Sequence, residues 1–402
     1  MKPHLLSTWV LCLVALSSRF VLAEPPRLVS RAALPSATAS GDSAAPVISK
    51  DGGHAVFLST AGNLVTNDTN GGLMDVFVRD LTSGVTQLIS VGTNGESGNG
   101  PCFSASISSN GQFVVFASRA GNLVAGDTNN VADIFLRDCL AGTTHLVSAA
   151  TNGYSGDGES GSPEITPDGR FVWFESRAAD LVSGDTNRVQ DVFGYDRLDG
   201  SITCLSAAST SPQLGTRPAG ESLRGSLSDD GATAVFVSYG LNLAPGISSG
   251  GYTHTNRLYY LRPPASTNQM VDLFPPDLNA ATIVDALAYR LSSDGRYLAL
   301  QASSSRPATL SNGVYWVDLD TGTSLRVATN LNTAFLSKQL ELSGPAISDD
   351  GETVVFEARE PGNLAGTTIP VVYSWNATSR EISRVSSGGW IAATNQEPPL
   401  VT

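Results

Sequence analysis

Short, nearly continuous apolar segments recur along the chain, and each one follows a polar turn that contains glycine. Examples are Ala55 to Leu58, Phe113 to Phe116 and Phe171 to Phe174. An uninterrupted run of β-branched and aromatic residues predicts a strand that is buried on both faces, as strands between stacked sheets are. No segment sustains the helical period of about 3.6 residues, so the sequence predicts little helix.

The turn glycines mark a repeat with a spacing of 56 to 64 residues. They are Gly52, Gly111, Gly169, Gly231, Gly295 and Gly351. Around the first three turns, the apolar strand is followed by a polar loop, a third strand, a second turn and a fourth strand. Four strands per repeat at this period are typical of propeller blades. We therefore predict an all-β chain that forms a six-bladed β-propeller of four-stranded antiparallel blades.

The predicted propeller fills residues 24–402 as a single domain. Its blades are predicted near residues 41–92, 100–150, 160–208, 220–274, 284–329 and 341–390. The segments Arg27 to Ser30 and Pro399 to Thr402 have the pattern of a spare fourth strand and a spare first strand. A terminal strand that helps to close the ring would remove an exposed sheet edge.

Residues 1–23 have the features of an export signal peptide. Lys2 supplies positive charge, Leu5 to Leu16 form an apolar core, and Val21 to Ala23 place small residues at the cleavage position. This apolar core is too short to span a bilayer. We predict a secreted or periplasmic protein without stable membrane insertion after cleavage, and an uncleaved anchor is the open alternative.

The charge and the cysteine count restrict the partners further. Removal of Lys2 and Arg19 with the signal takes the net charge from −13 to −15. So acidic a chain repels phosphate backbones, which excludes nucleic acid as a partner.

The remaining cysteines Cys102, Cys139 and Cys204 are odd in number and widely spaced, so they predict no disulfide framework. We expect a monomer that binds a protein or a glycan.

Two motifs resemble those of a known group of proteins. The turn motif Ser-x-Asp-Gly-Arg and the segment Val-Asp-Leu-Asp-Thr-Gly, from Val317 to Gly322, are similar to the TolB-type, WD-repeat-like β-propeller repeats of bacterial envelope or secreted proteins. The resemblance covers about residues 45–390. It implies a six-bladed propeller that serves as a protein-interaction platform.

Two carboxylates and one amide recur in the loop between the second and third strands of the first three repeats. The residues are Asp68, Asn70 and Asp75, then Asp127, Asn129 and Asp133, then Asp185, Asn187 and Asp191. Ca²⁺ takes about six to eight oxygen ligands of this kind. The same side chains also cap tight turns by bonding to nearby backbone groups. The sequence leaves calcium binding and turn capping open, and it suggests no other cofactor.

A further aspartate recurs at the end of the third strand. These residues are Asp80, Asp138, Asp196 and Asp318. Each stands just before a hairpin turn. The turns after Asp80, Asp138 and Asp318 end at Gly84, Gly142 and Gly322. An aspartate that opens such a turn accepts hydrogen bonds from turn amides, so we predict that this set caps hairpins.

The sequence lacks the usual catalytic motifs. It has no His-x-x-x-His pair and no Gly-x-Ser-x-Gly elbow. We therefore predict a protein- or glycan-binding or scaffold module. The alternative is a carbohydrate-active hydrolase or lyase with carboxylates that converge on the central channel, because their separation in space cannot be inferred from sequence. Two or three carboxylates with an arginine at the channel would favour the enzyme.

Overall fold

The structure is a computed structural model that describes residues 39–183, 185, 188–206, 221–239, 243, 257–262, 269–270, 283–306, 313–329, 342–361 and 368–386. Within these residues there are 24 strands in six four-stranded antiparallel sheets, and no helix. The prediction of an all-β, six-bladed propeller is confirmed. The predicted signal peptide and both spare terminal strands lie outside the described residues.

Each blade is built from four consecutive strands that pair in chain order. Blades 1 to 3 contain β1 (Ser43–Ile48), β2 (His54–Ser59), β3 (Asp75–Asp80) and β4 (Thr86–Leu88); β5 (Cys102–Ile107), β6 (Phe113–Ser118), β7 (Asp133–Asp138) and β8 (Thr143–Leu146); and β9 (Ser160–Ile165), β10 (Phe171–Ser176), β11 (Asp191–Asp196) and β12 (Ser201–Cys204). Blades 4 to 6 contain β13 (Ser222–Leu227), β14 (Ala234–Ser238), β15 (Arg257–Leu261) and β16 (Gln269–Met270); β17 (Ile283–Leu291), β18 (Tyr297–Arg306), β19 (Gly313–Asp318) and β20 (Thr323–Thr329); and β21 (Leu342–Ile347), β22 (Thr353–Pro361), β23 (Thr368–Asn376) and β24 (Ile382–Arg384).

Adjacent blades bury their apolar faces against each other. All six residues of β6 are buried, since one face packs on blade 1 and the other on blade 3. Similar apolar clusters join blades 3 and 4, blades 4 and 5, and blades 5 and 6. Within blades, an aromatic residue of the second strand stacks on one of the third strand, in the pairs Phe57–Phe77, Phe116–Phe135, Phe174–Phe193, Phe236–Tyr259 and Phe356–Tyr373. The apolar runs of the second strands are therefore the cores of the blade interfaces.

The turn between the first and second strands of a blade touches the neighbouring blade at its glycine. Gly169 in blade 3 has a φ of 74°, and a Cβ atom added there would lie 2.4 Å from Cδ2 of Phe113 in blade 2. The same relation joins Gly111 to His54, Gly231 to Phe171, Gly295 to Thr233 and Gly351 to Tyr297. The residue two positions after one turn glycine thus covers the turn glycine of the next blade.

The same turns also meet across the ring. Lys50 of blade 1 forms an ion pair with Asp229 of blade 4 and lies with its Nζ 3.4 Å from Oδ2 of Asp349 in blade 6. Ser293 of blade 5 donates its hydroxyl to Asp349 at 2.6 Å. One end of the propeller, the turn end, carries these turns and the hairpins that join third to fourth strands. The opposite end, the loop end, carries the loops between second and third strands and the connectors between blades.

The interface role of the turn glycines gives a testable expectation. Gly169→Ala should lower the free energy of unfolding by about 1–2 kcal/mol from the positive φ and by about 1–3 kcal/mol more from overlap with Phe113. Gly200→Ala is the matched control, because Gly200 has the same φ of 74° but no atom within 4 Å of its Cβ position. Urea unfolding of both variants measures the difference, and equal losses would contradict an interface role.

Candidate functional site

The acidic loops of the first three blades lie at the loop end, where they lead into the third strands. Asp75, Asp133 and Asp191 are the first residues of β3, β7 and β11, and each is fully or almost fully buried. Burial of a carboxylate is costly unless it accepts hydrogen bonds. The hydrogen-bond donors to these three carboxylates therefore show which contacts hold the loops in place.

A serine just after the fourth strand donates a hydrogen bond to each of these aspartates. The hydroxyls of Ser90, Ser148 and Ser206 donate to Oδ1 of Asp75, Asp133 and Asp191 at 2.6, 2.6 and 2.5 Å. Each serine Oγ also accepts the backbone N–H that follows its aspartate, at 3.0–3.1 Å. The three blades thus contain the same hydrogen-bonded unit, which ties the third strand to the segment that leaves the fourth.

The loop asparagines fasten the loops to the connectors between blades. The amide nitrogen of Asn129 donates to Oδ2 of Asp133 and to the carbonyl of Gly156, both at 2.7 Å. Its amide oxygen accepts the N–H of Val131 at 2.9 Å, which is the local turn bond of the capping interpretation. Asn70 donates in the same way to Asp75, but its own amide oxygen is buried without a partner. Asn187 lies outside the described residues.

The first aspartate of each loop differs from the last. Asp127 is 7% exposed, and neither of its carboxylate oxygens has a hydrogen-bond partner. Oδ1 of Asp68, at the same place in blade 1, is also buried and unpaired. Burial raises the pKa of both carboxyl groups, against the opposing influence of nearby backbone N–H groups and of Ser97 and Ser155. These oxygens are the part of the loop that is left without a protein donor.

The two aspartates of a loop also influence each other. Burial raises the pKa of Asp133 to about 7, and the charge of Asp127 adds to that rise. Burial likewise raises the pKa of Asp75 to about 6, with a contribution from the charge of Asp68. A divalent cation would neutralise such a pair. Among the described residues no three His, Cys, Asp or Glu side chains converge on a common metal position, so backbone carbonyls or water would have to complete the coordination.

The hairpin aspartates behave as the sequence predicts. Asp138 Oδ1 accepts the N–H groups of Leu140 and Ala141, both at 2.9 Å. Asp80, Asp196 and Asp318 accept turn N–H groups at the same position of their hairpins. The prediction that this set caps hairpins is confirmed.

Charged residues that the sequence patterns did not single out lie on the first strands, which line the central channel. Glu164, next to the last residue of β9, accepts a hydrogen bond from the indole N–H of Trp173 at 3.1 Å. Glu164 is exposed, but desolvation by the surrounding protein raises its pKa, and the hydrogen bond from Trp173 and the charge of Arg290 oppose that rise. The charge of Glu175 adds to the rise.

A sequence signal for these residues does exist. Arg290 holds the same position of β17 as Glu164 holds in β9, and it is exposed. The other first strands have small or apolar residues there, namely Val47, Ser106, Ser226 and Ala346. A charged side chain at an otherwise uncharged position of the repeat is the feature that would have pointed to the channel.

Comparison with known proteins identifies similar structures only. No described protein family and no curated protein matches the sequence. Similar solved structures include TolB from Acinetobacter baumannii, with 16% identity, 83% of this chain and 63% of that chain covered, and a TM-score of 0.40. The β-propeller domain of the Trilobed protease from Pyrococcus furiosus has 14% identity, coverage of 88% and 85%, and a TM-score of 0.48. An oligogalacturonate lyase from Vibrio parahaemolyticus has 12% identity, coverage of 84% and 75%, and a TM-score of 0.49.

These likenesses concern the fold alone. The chain is a six-bladed β-propeller by its own six four-stranded sheets, and the structures similar to it include two described as TolB. The chain spans 63% of the length of the Acinetobacter TolB structure, and no residue role is transferred from it. In the described part of the chain, no helix has the length and apolar character that a bilayer crossing requires.

Calcium binding at the acidic loops stays a prediction, and we propose a direct test. With a dissociation constant of roughly 10⁻⁴ to 10⁻³ M per loop, 10 mM CaCl₂ should stabilise the fold by about 1.4–2.7 kcal/mol per site, because the ion binds only the folded state. The melting temperature should rise by a few degrees, first through blades 2 and 3, whose loops share one spacing. Asp127→Asn with Asp185→Asn should abolish the rise.

The control for calcium is a carboxylate outside the loops. Asp199→Asn removes an exposed hairpin carboxylate of blade 3 and should leave the calcium effect unchanged. Identical melting curves of the unmutated protein in calcium and in chelator would show that the loops only cap turns.

Proposed function

We propose that this chain is an exported, monomeric binding module that presents its loop end to a protein or glycan partner. The observation that carries the proposal is a set of exposed aromatic side chains at that end. Phe103 is 51% exposed at the start of β5, Tyr154 is 55% exposed in the connector before β9, and Tyr239 is 41% exposed directly after β14. Aromatic side chains offer a large contact area at a low cost in conformational entropy.

In the described part of the first three blades, hydrogen bonds and ion pairs hold the loop end together, which favours binding. Asn63, Asn122 and Asp180 each accept, at 2.9 Å, the backbone N–H of a residue 23 positions away in the chain. Ion pairs Arg119–Glu159 and Arg177–Glu221, at 2.8 and 2.7 Å, join neighbouring blades at the same end. A surface that is held in place before binding loses less entropy when a partner docks.

The acidic side chains support a binding function over a catalytic one. The aspartates that begin the third strands and those that open the hairpins, such as Asp75, Asp133 and Asp138, accept hydrogen bonds that hold loops and hairpins together, so they are occupied by structural contacts. The acidic net charge of −13 disfavours nucleic acid and anionic surfaces. The predicted export signal supports a periplasmic or secreted location, where a protein or glycan partner would be met.

The aromatic surface can be tested by substitution. Phe103→Ser together with Tyr154→Ser should weaken binding to a partner found by glycan-array or envelope-protein screening by at least tenfold, because each residue loses an exposed aromatic contact. Leu198→Ser is the matched control, since Leu198 is 65% exposed at the turn end. Unchanged binding of the double variant, or an equal loss in the control, would place the interface elsewhere.

A second candidate function, a carbohydrate-active hydrolase or lyase, is favoured by the channel residues. Glu164 and Glu175 are two neighbouring carboxylates, and the charge of Arg290 acts on Glu164. A carboxyl group with a raised pKa suits a general acid. This is the combination of carboxylates and arginine that would mark an active channel.

The enzymatic candidate makes its own prediction. In a screen of glycans and acidic polysaccharides, turnover by the unmutated protein should fall by at least 100-fold in Glu164→Gln, because the amide cannot deliver a proton. Asp168→Asn, which changes an exposed turn carboxylate, is the control. Absence of turnover, or activity that survives Glu164→Gln, would reject this candidate and leave the binding function.

A further inference from the structure

The crevices between blades at the turn end are filled by side-chain N–H donors at several interfaces. Between blades 2 and 3, the guanidinium of Arg197 lies 4.1 Å from the ring centroid of Phe113, and its Nε donates to the carbonyl of Gly169 at 2.7 Å. Between blades 4 and 5, Nη2 of Arg262 donates to the carbonyl of Gly295 at 3.0 Å. Between blades 5 and 6, the indole N–H of Trp316 donates to the carbonyl of Gly351 at 2.8 Å.

The sequence at the interface between blades 1 and 2 differs from that at the other interfaces described above. Cys139 follows Asp138 as Arg197 follows Asp196, so a short thiol side chain stands where blade 3 has a guanidinium. His54 occupies the position of Phe113, two residues after the turn glycine. Within the described residues, no side-chain N–H bonds to the carbonyl of Gly111.

The result is a cavity of about 550 Å³ between these two blades. Its lining includes His54, Asp80, Gly111, Gln112 and Cys139. The imidazole of His54 covers Gly111, with Cγ 2.4 Å from the Cβ position, and its Nδ1 is buried without a hydrogen-bond partner. The cavity thus has the ring of His54 in the place of Phe113 and Gly111 in the place of Gly169. It lacks a side chain in the place of Arg197, which fills the interface between blades 2 and 3.

The charges around the cavity favour a cation. Asp80 is the acidic side chain in its lining, and no lysine or arginine lines it. Backbone and side-chain hydrogen bonds from Ser83 keep the pKa of Asp80 low, so its carboxylate is charged. Burial raises the pKa of Cys139 to about 11, which leaves the thiol neutral and unreactive. Val85 and Leu140, both exposed, form an apolar border that a methylene chain can cover.

We propose that this cavity binds the guanidinium group of an arginine side chain carried by a protein partner. The planar cation would lie against His54, donate to the carbonyl of Gly111 and face Asp80, as Arg197 does toward Phe113 and Gly169 in the next interface. The inference deepens the proposed binding function and rests on it for the partner, while the site itself is at the turn end and separate from the aromatic surface.

The experiment uses N-acetyl-arginine amide as the probe, titrated into the full-length protein and followed by NMR and calorimetry. We expect one site with a millimolar or lower dissociation constant. N-acetyl-citrulline amide, which has the same shape without the charge, should bind at least tenfold more weakly. Cys139→Arg should abolish probe binding, because it supplies the side chain that blade 3 already holds at this place. Leu198→Arg, which adds the same charge at the hairpin of blade 3, should leave binding within about threefold.

Two further variants keep the test decisive. His54→Ala should weaken probe binding at least tenfold even if Cys139→Arg does not fold. Arg197→Cys should open the equivalent crevice between blades 2 and 3 and raise the stoichiometry from one site to two. No binding of the probe, equal binding of the citrulline analogue, or binding that survives both Cys139→Arg and His54→Ala would overturn the proposal. Probe binding that persists in Phe103→Ser with Tyr154→Ser separates this site from the loop-end function.

Discussion

The structure depends on the missing side chain at one turn position in each of blades 2 to 6. A residue of the preceding blade lies there where a Cβ atom of the turn glycine would stand, and the backbone has a positive φ. Gly52 of blade 1 also has a positive φ, but no atom lies within 4 Å of its Cβ position. Glycine satisfies both conditions, so the spacing of the turn glycines fixes the spacing of the blades. The covering residue belongs to the second strand, whose apolar run fills the same interface. The same strand thus covers the turn glycine of the next blade and supplies the apolar residues that pack between the two blades, and this arrangement is repeated along the chain.

The recurrent acids serve this scaffold first. Asp75, Asp133 and Asp191 are buried, a serine holds each of them, and an asparagine also holds the first two. Burial raises the pKa values of Asp75 and Asp133, which reflects an electrostatic cost that hydrogen bonds only partly offset. The cost is tolerated because the unit ties loop, third strand and connector together. Asp127 stands apart, because its buried oxygens have no protein donor.

The features on which the proposed functions rest lie where the repeat is broken. Cys139 leaves an interface crevice open that Arg197 fills one blade later. Glu164 and Arg290 place opposite charges on channel strands that are elsewhere uncharged at that position. A packed repeat needs its repeated residues for stability, so residues that depart from it are the ones free to serve binding.

The sequence by itself determined the all-β class, the number of blades and the hairpin caps. Each of these depends on a short apolar run, a turn glycine or a turn aspartate, and such features involve only a few neighbouring residues. The sequence could not decide between calcium binding and capping at Asp127, since the surroundings of this loop include a separate connector, whose Ser155 accepts the N–H of Thr128. The charged positions Glu164 and Arg290 stand out in the repeat, but the sequence does not show that Glu164 accepts a hydrogen bond from Trp173 or that Cys139 opens a cavity beside His54. Those relations join residues from different strands and blades, so only the tertiary packing brings them together.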